Sequence, residues 1–167
     1  CAGVEVVCGI DLDPIANTAY AKNFPSALAV RLRMTDETRP QTLGDVGRID
    51  LLLASPECTN HTCARGNRPI NEDSRQTARY VVNFARDLGP RWVVVENVVQ
   101  MRAWSGYPSL LRDLRGLGYK TSVMVLDARD FGVPQQRKRL FILCDREQQP
   151  PHSITPSDLD PPTVASI

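Results

Sequence analysis

The sequence has no excess of one charge sign: 20 lysines and arginines stand against 19 acids, a net charge of +1. No global basic field therefore announces a nucleic-acid partner, and any cationic surface has to be local. One local bias exists, because residues 129 to 146 hold Arg129, Arg137, Lys138, Arg139 and Arg146 against only Asp130 and Asp145. Lysine is scarce, 3 residues against 17 arginines, and arginine is the stiffer fork for phosphates and carbonyls. No apolar run approaches the ~18 residues of a membrane span, and no signal-peptide pattern opens the chain. The 5 cysteines are odd in number and scattered among apolar runs, which fits a reducing cytosol better than a disulfide framework. No internal repeat or low-complexity segment occurs. What remains is 167 residues, 42% apolar and 23% charged, enough for one domain with a real core. An initiator methionine is missing from "CAGVEVV", and a Pro-rich stretch over 149–162 reads as linker. The expectation is a piece of a longer protein.

Five β-branched or aliphatic runs predict strands at 4–10, 49–55, 91–97, 121–128 and 139–145. The second and third are almost continuously apolar, as in strands buried on both faces of a parallel sheet. Helices are predicted between them. Residues 14–24 start at Pro14, a first-turn position, and 74–88 follow Asp73, a good N-cap. Residues 108–116 put Leu110, Leu111 and Leu114 on one face and end at Gly116 and Gly118. Alternating strands and helices give an α/β doubly wound, Rossmann-like, mostly parallel sheet. Only the ten residues "RDFGVPQQRK" lead into the last strand, too few for a parallel crossover, so that strand is expected to pair antiparallel.

In such sheets ligands bind beyond the carboxyl ends of the strands. Asp11 and Asp13 follow the first run, Cys58 and His61 the second, and Glu96 and Asn97 the third, while Gln135, Arg137 and Arg139 lead into the last. Asp11 suits ribose hydroxyls, or else caps the helix at Pro14. Cys58 is either a buried filler or a reactive thiol in a polar loop, and His61 a loop residue or its activating base. The spacing Cys58, His61, Cys63 matches no zinc pattern, and no metal is expected. A carboxylate closing an apolar strand, as Glu96 does, loses hydration, which favours the protonated form that a general acid needs. Its plainer alternative is a helix N-cap. Arg129 and Arg146 read as ordinary surface charges.

"SPECTNH", "VVVENV" and "FGVPQQRKRLFI", in this order, resemble the motifs of the DNA cytosine-5 methyltransferases. The likeness extends to "GIDLDPIANTAYAKNFP" and "DSRQTARYVVNFAR" and covers roughly residues 4 to 145. It implies a class I methyltransferase core over 1–146, lacking its first part, and a linker over 147–167 toward a target-recognition domain. It further implies S-adenosylmethionine as cofactor and double-stranded DNA with a flipped cytosine as partner, handled by a monomer in a bacterial or phage setting. By resemblance Cys58 is the nucleophile, Glu96 the acid at ring nitrogen 3, and Arg137 and Arg139 belong to the base pocket. Asp11, Leu12, Pro56 and Asn97 fall on the cofactor side.

The chain departs from the family at Glu57, where a second proline is usual; its charge would raise the Cys58 pKa. The acid for the cofactor's adenine amino group falls within "RLRMTDE", with Asp36 the candidate. The alternatives are a tRNA cytosine-5 methyltransferase and a catalytically silent DNA-binding relative. A nicotinamide dehydrogenase would account for Asp11 but not for Cys58, Glu96 and the arginines. Expressed alone, the 167 residues are expected not to methylate DNA.

Overall fold

The structure is a computed structural model and describes residues 3–35, 37–57 and 72–156. Its elements in chain order are β1 (Cys8–Asp11), α1 (Pro14–Asn23), β2 (Leu28–Arg31), β3 (Leu51–Ala54), α2 (Glu72–Leu88), β4 (Trp92–Asn97), α3 (Tyr107–Gly116), β5 (Lys120–Asp127) and β6 (Lys138–Asp145), with short 3₁₀ turns between some of them. All five expected strands form. The run "SALAVRL" contains a sixth, β2, whose four residues are too short to stand out as an apolar run.

The strands form two sheets among the described residues: β1 beside β2, and a four-stranded sheet in the order β3-β4-β6-β5. β1 and β2 are parallel, as are β3 and β4. β6 pairs antiparallel with both β4 and β5, as its short approach loop requires. Three of its four strands thus share one direction. The hairpin folds β6 back between β4 and β5, a placement that loop length alone does not reveal.

Helix starts follow local chemistry. Asp13, not Asp11, caps α1: its Oδ1 accepts from the backbone N–H of Ile15 at 2.8 Å and of Ala16 at 2.9 Å. Pro14 follows at the first helical position, where no N–H is needed. α2 begins at Glu72, so Asp73 lies inside its first turn and not before it, a correction to the expected cap.

The core lies between the four-stranded sheet and the pair α2 and α3. Val93 and Val95 of β4 and Leu140, Ile142 and Cys144 of β6 meet Ala78, Val81, Val82 and Ala85 of α2 and Leu110 and Leu114 of α3. Met101 and Trp104 close one end. The expectation that the second and third runs are buried on both faces does not hold: Leu53 is 67% exposed and Val94 only half-buried. α2 and α3 cover one face, and α1 packs on β1 and β2 instead. On the β5 side the other face receives residues from the expected linker. Gln149 Nε2 donates to the Thr121 carbonyl at 3.1 Å, and His152 Nδ1 lies 3.0 Å from the buried Ser122 hydroxyl. No helix among the described residues is long and apolar enough to cross a membrane.

Candidate active site

The carboxyl ends of β3 and β4 and the start of β6 meet at one sheet edge. Parallel pairing sets Ala54 against Val95, so the next residues outward are Ser55 and Glu96. The Ser55 hydroxyl donates to Glu96 Oε2 at 2.5 Å. On the other side of β4, antiparallel pairing sets Leu140 against Asn97 and leaves Arg139 just beyond the last pair. Arg139 Nε lies 3.0 Å from Glu96 Oε1, with 24% of the arginine side chain and 28% of the carboxylate side chain exposed. Arg139 is braced in turn by Nη1, which donates to the Lys138 carbonyl at 2.9 Å. Glu96 is therefore not the unpaired, dehydrated acid that its apolar strand suggested. Its charge is compensated, both oxygens are engaged, and one side remains open.

Asn97 points the other way along the strand and is 2% exposed. Its Nδ2 donates to the Pro56 carbonyl at 3.0 Å, and its Oδ1 accepts from the Val98 N–H at 2.8 Å. The amide thus ties the segment leading to Cys58 onto the end of β4. Pro56 and Asn97, expected on the cofactor side, anchor this junction. Cys58, His61, Cys63 and Asp36 lie outside the described residues. Of the thiols that are described, burial pushes Cys144 up to about 12 and raises Cys8 as well, so both are held as neutral thiols.

Arg137 is brought to the same edge but not to Glu96. Its backbone N–H donates to Asp127 Oδ1 at 2.9 Å, while its exposed side chain makes no hydrogen bond or ion pair among the described residues. Gln135 sits in the approach loop, its N–H donating to the Val133 carbonyl at 2.7 Å. Asp11 and Leu12 lie apart, at the carboxyl end of β1 in the other sheet. Asp11 Oδ1 accepts the Asp13 N–H at 2.8 Å, which sets the cap of α1, and the Leu12 carbonyl accepts from Arg31 Nε at 3.3 Å. No hydrogen bond or ion pair among the described residues joins Asp11 or Leu12 to the Glu96 group.

Two residues of this edge were not singled out in the sequence. Ser55 becomes visible only when the β3–β4 register places it opposite Glu96. Asp127 ends β5 like many turn acids, yet it collects the N–H groups of both Arg129 and Arg137. A cavity of about 230 Å³ opens at the opposite edge, beside Arg48, Leu88, Arg91 and Arg146, away from this chemistry.

A model of the C-5 cytosine-specific DNA methylase family matches residues 1–165. The type II methyltransferase M.XorII of Xanthomonas oryzae is 28% identical over 158 residues, which are 89% of this chain and 37% of that protein. The human tRNA (cytosine(38)-C(5))-methyltransferase is 23% identical over 154 residues, 90% of this chain and 38% of that enzyme. Among solved structures, a DNA modification methyltransferase encoded within an E. coli prophage shares the fold with a TM-score of 0.82 at 21% identity, over 99% of this chain and 48% of the other. The chain thus spans less than half the length of these relatives. With a match over nearly its whole length, this chain belongs to the C-5 cytosine-specific DNA methylase family.

Proposed function

We propose that the chain is the catalytic core of an enzyme that methylates carbon 5 of cytosine in double-stranded DNA, with Cys58 as nucleophile. The observation that carries this reading is Glu96, held between Arg139 and Ser55 at the strand edge where Asn97 ties down the segment leading to Cys58. Carbon 5 of cytosine is a weak nucleophile. A thiolate bond from Cys58 Sγ to carbon 6 makes the ring an enamine, and a hydrogen bond or proton from Glu96 at ring nitrogen 3 relieves the negative charge of addition. Arg139 orients Glu96, and Arg137 and Arg139 belong to the base pocket, one of them gripping the exocyclic oxygen. Loss of the carbon-5 proton, then breakage of the bond from Sγ to carbon 6, restores the ring. Access to the stacked base costs a few kcal/mol of flipping.

S-adenosylmethionine is the methyl donor in this reading and supplies an electrophilic methyl group. The residues at the end of β1 fit it: Asp11 makes a single local contact and keeps acceptor capacity for ribose hydroxyls, and Leu12 offers 42% exposed apolar surface beside it. Pro56 and Asn97, at the ends of β3 and β4, are the other two residues assigned to the cofactor side in this reading. The enzyme acts in this reading as a monomer in a bacterial or phage-infected cytoplasm.

DNA carrying 5-fluorocytosine tests the reading, because fluorine blocks the final proton loss and traps the adduct. The expected result is an adduct that survives Cys63→Ser and disappears with Cys58→Ser; the reverse pattern overturns the assignment. The human relative's name supports a second reading, a tRNA substrate. Trapping on 5-fluorocytosine tRNA but not on duplex DNA would decide for it.

A further inference from the structure

We propose that Arg129 and Lys138 form a docking site for the phosphates of double-stranded DNA beside the base site; this rests on the DNA reading above. The β5–β6 hairpin carries both cations. Pairing sets Lys138 opposite Asp127, two residues along β6 from Leu140, the partner of Asn97. At ~3.4 Å per residue, Lys138 lies about 7 Å beyond the Glu96–Asn97 edge. That is within one nucleotide of a base held there.

The hairpin end is closed rather than loose. Asp127 Oδ1 accepts from Arg129 N–H at 3.2 Å and from Arg137 N–H at 2.9 Å, and the Ala128 N–H donates to the Arg137 carbonyl at 3.1 Å. Gly132, at φ +79°, ends the 3₁₀ turn Ala128–Phe131, its N–H donating to the Arg129 carbonyl at 3.3 Å. The backbone under the cations is therefore ordered before any ligand arrives, which lowers the entropy cost of binding.

Some arginines elsewhere are matched by acids, among them Arg48 with Asp50 at 3.3 Å, Arg91 with Glu147 at 2.7 Å and Arg139 with Glu96 at 3.0 Å. The side chains of Arg129 and Lys138 are exposed and make no hydrogen bond or ion pair among the described residues. Of the nearby acids, Asp127 engages its Oδ1 with two backbone N–H groups, and Asp130 has an interaction of its own. In a chain of net charge +1, these cations are a local field at the one edge where a polyanion would have to lie. Neither belongs to the Gln135, Arg137, Arg139 motif, so their task is separable from base holding. Phosphate contacts of this kind set register and affinity and carry no sequence information.

The test uses the protein and a mixed-sequence DNA duplex, with dissociation constants measured between about 50 and 200 mM salt. Each phosphate contact contributes about 0.9 to the slope of log affinity against log salt. The double variant Arg129→Ala with Lys138→Ala is expected to lower that slope by about two. Arg129→Lys with Lys138→Arg should restore it, and Arg112→Ala on α3 should leave it unchanged. An unchanged slope in the double variant overturns the site. So does a slope lost on an RNA hairpin but kept on duplex DNA. Trapping of 5-fluorocytosine DNA is scored on the same preparations. An unchanged slope with trapping intact refutes this site alone, whereas absence of trapping in the unmodified protein refutes the DNA reading itself.

Discussion

Glu96 receives two unlike partners, a cation on one oxygen and a hydroxyl on the other, and the difference separates their contributions. Arg139 compensates charge and fixes direction, whereas Ser55 offers a single neutral donor. Glu96→Gln removes the acid and is expected to lower the single-turnover methylation rate by ~10²–10⁴ while leaving DNA affinity nearly unchanged. Arg139→Ala should lower both, because the guanidinium positions Glu96 and, in the proposed reading, belongs to the base pocket. Ser55→Ala should cost far less in rate, about tenfold, the loss of one neutral hydrogen bond. Rate and binding constants measured for all three variants check this order. Equal binding losses for Glu96→Gln and Arg139→Ala would contradict it.

At the scale of elements, the chain ends its helices by short-range rules. α3 closes in a Schellman motif: the Gly118 N–H donates to the Arg115 carbonyl at 2.9 Å and the Tyr119 N–H to the Leu114 carbonyl at 3.3 Å. Gly118 takes φ +89°, which a side chain would strain, so Gly118 and not Gly116 is the stop signal. The turn aims Tyr119 inward, 3% exposed, where its hydroxyl donates to the Pro90 carbonyl at 2.6 Å. This bond joins the entrance of β5 to the entrance of β4, so two crossover connections share one anchor. Tyr119→Phe leaves that carbonyl buried without a partner and is expected to destabilise the fold by about 1–3 kcal/mol. Urea unfolding should show a lower midpoint with an unchanged slope.

At the scale of the molecule, the four-stranded sheet has two chemically different edges. The edge at Ser55, Glu96 and Arg139 keeps polar groups partly open, and the opposite edge consumes them. There Asp145 accepts from the backbone N–H groups of Glu147 and Gln148 and from Trp92 Nε1 at 2.9 Å, with Arg91 3.5 Å away. The Glu147 N–H foremost, then those other donors and the Arg91 charge, hold the Asp145 carboxyl below its ordinary value of 3.8, against the opposing effect of burial. A depressed folded-state pKa stabilises the fold above the unfolded value, and the contribution fades as pH falls from 3.8 through the folded value. Asp145→Asn should therefore melt below the unmodified protein at neutral pH, and the gap should close on acidification below that window. A gap independent of pH would show that geometry, not charge, is at work.

The sequence by itself determined five of the six described strands, the glycine stop of α3 and the motif residues, because each depends on neighbours within a few positions. Apolar runs, Pro14 at a helix start and the ten-residue approach to β6 are local facts. Cys58, Glu96 and the arginines stood out by residue type and order, and the family their motifs resemble is the one whose model matches the chain. Only the tertiary structure decided which groups meet. Ser55 faces Glu96 through the β3–β4 register, and Arg139 rather than Arg137 reaches it because of where β6 pairs with β4. Exposure was likewise hidden: an apolar run reads the same whether one face is covered or two, and here α2 and α3 cover one. A pairing partner is chosen by register and by the layers around a strand. Both depend on residues dozens of positions away, which no local pattern can carry.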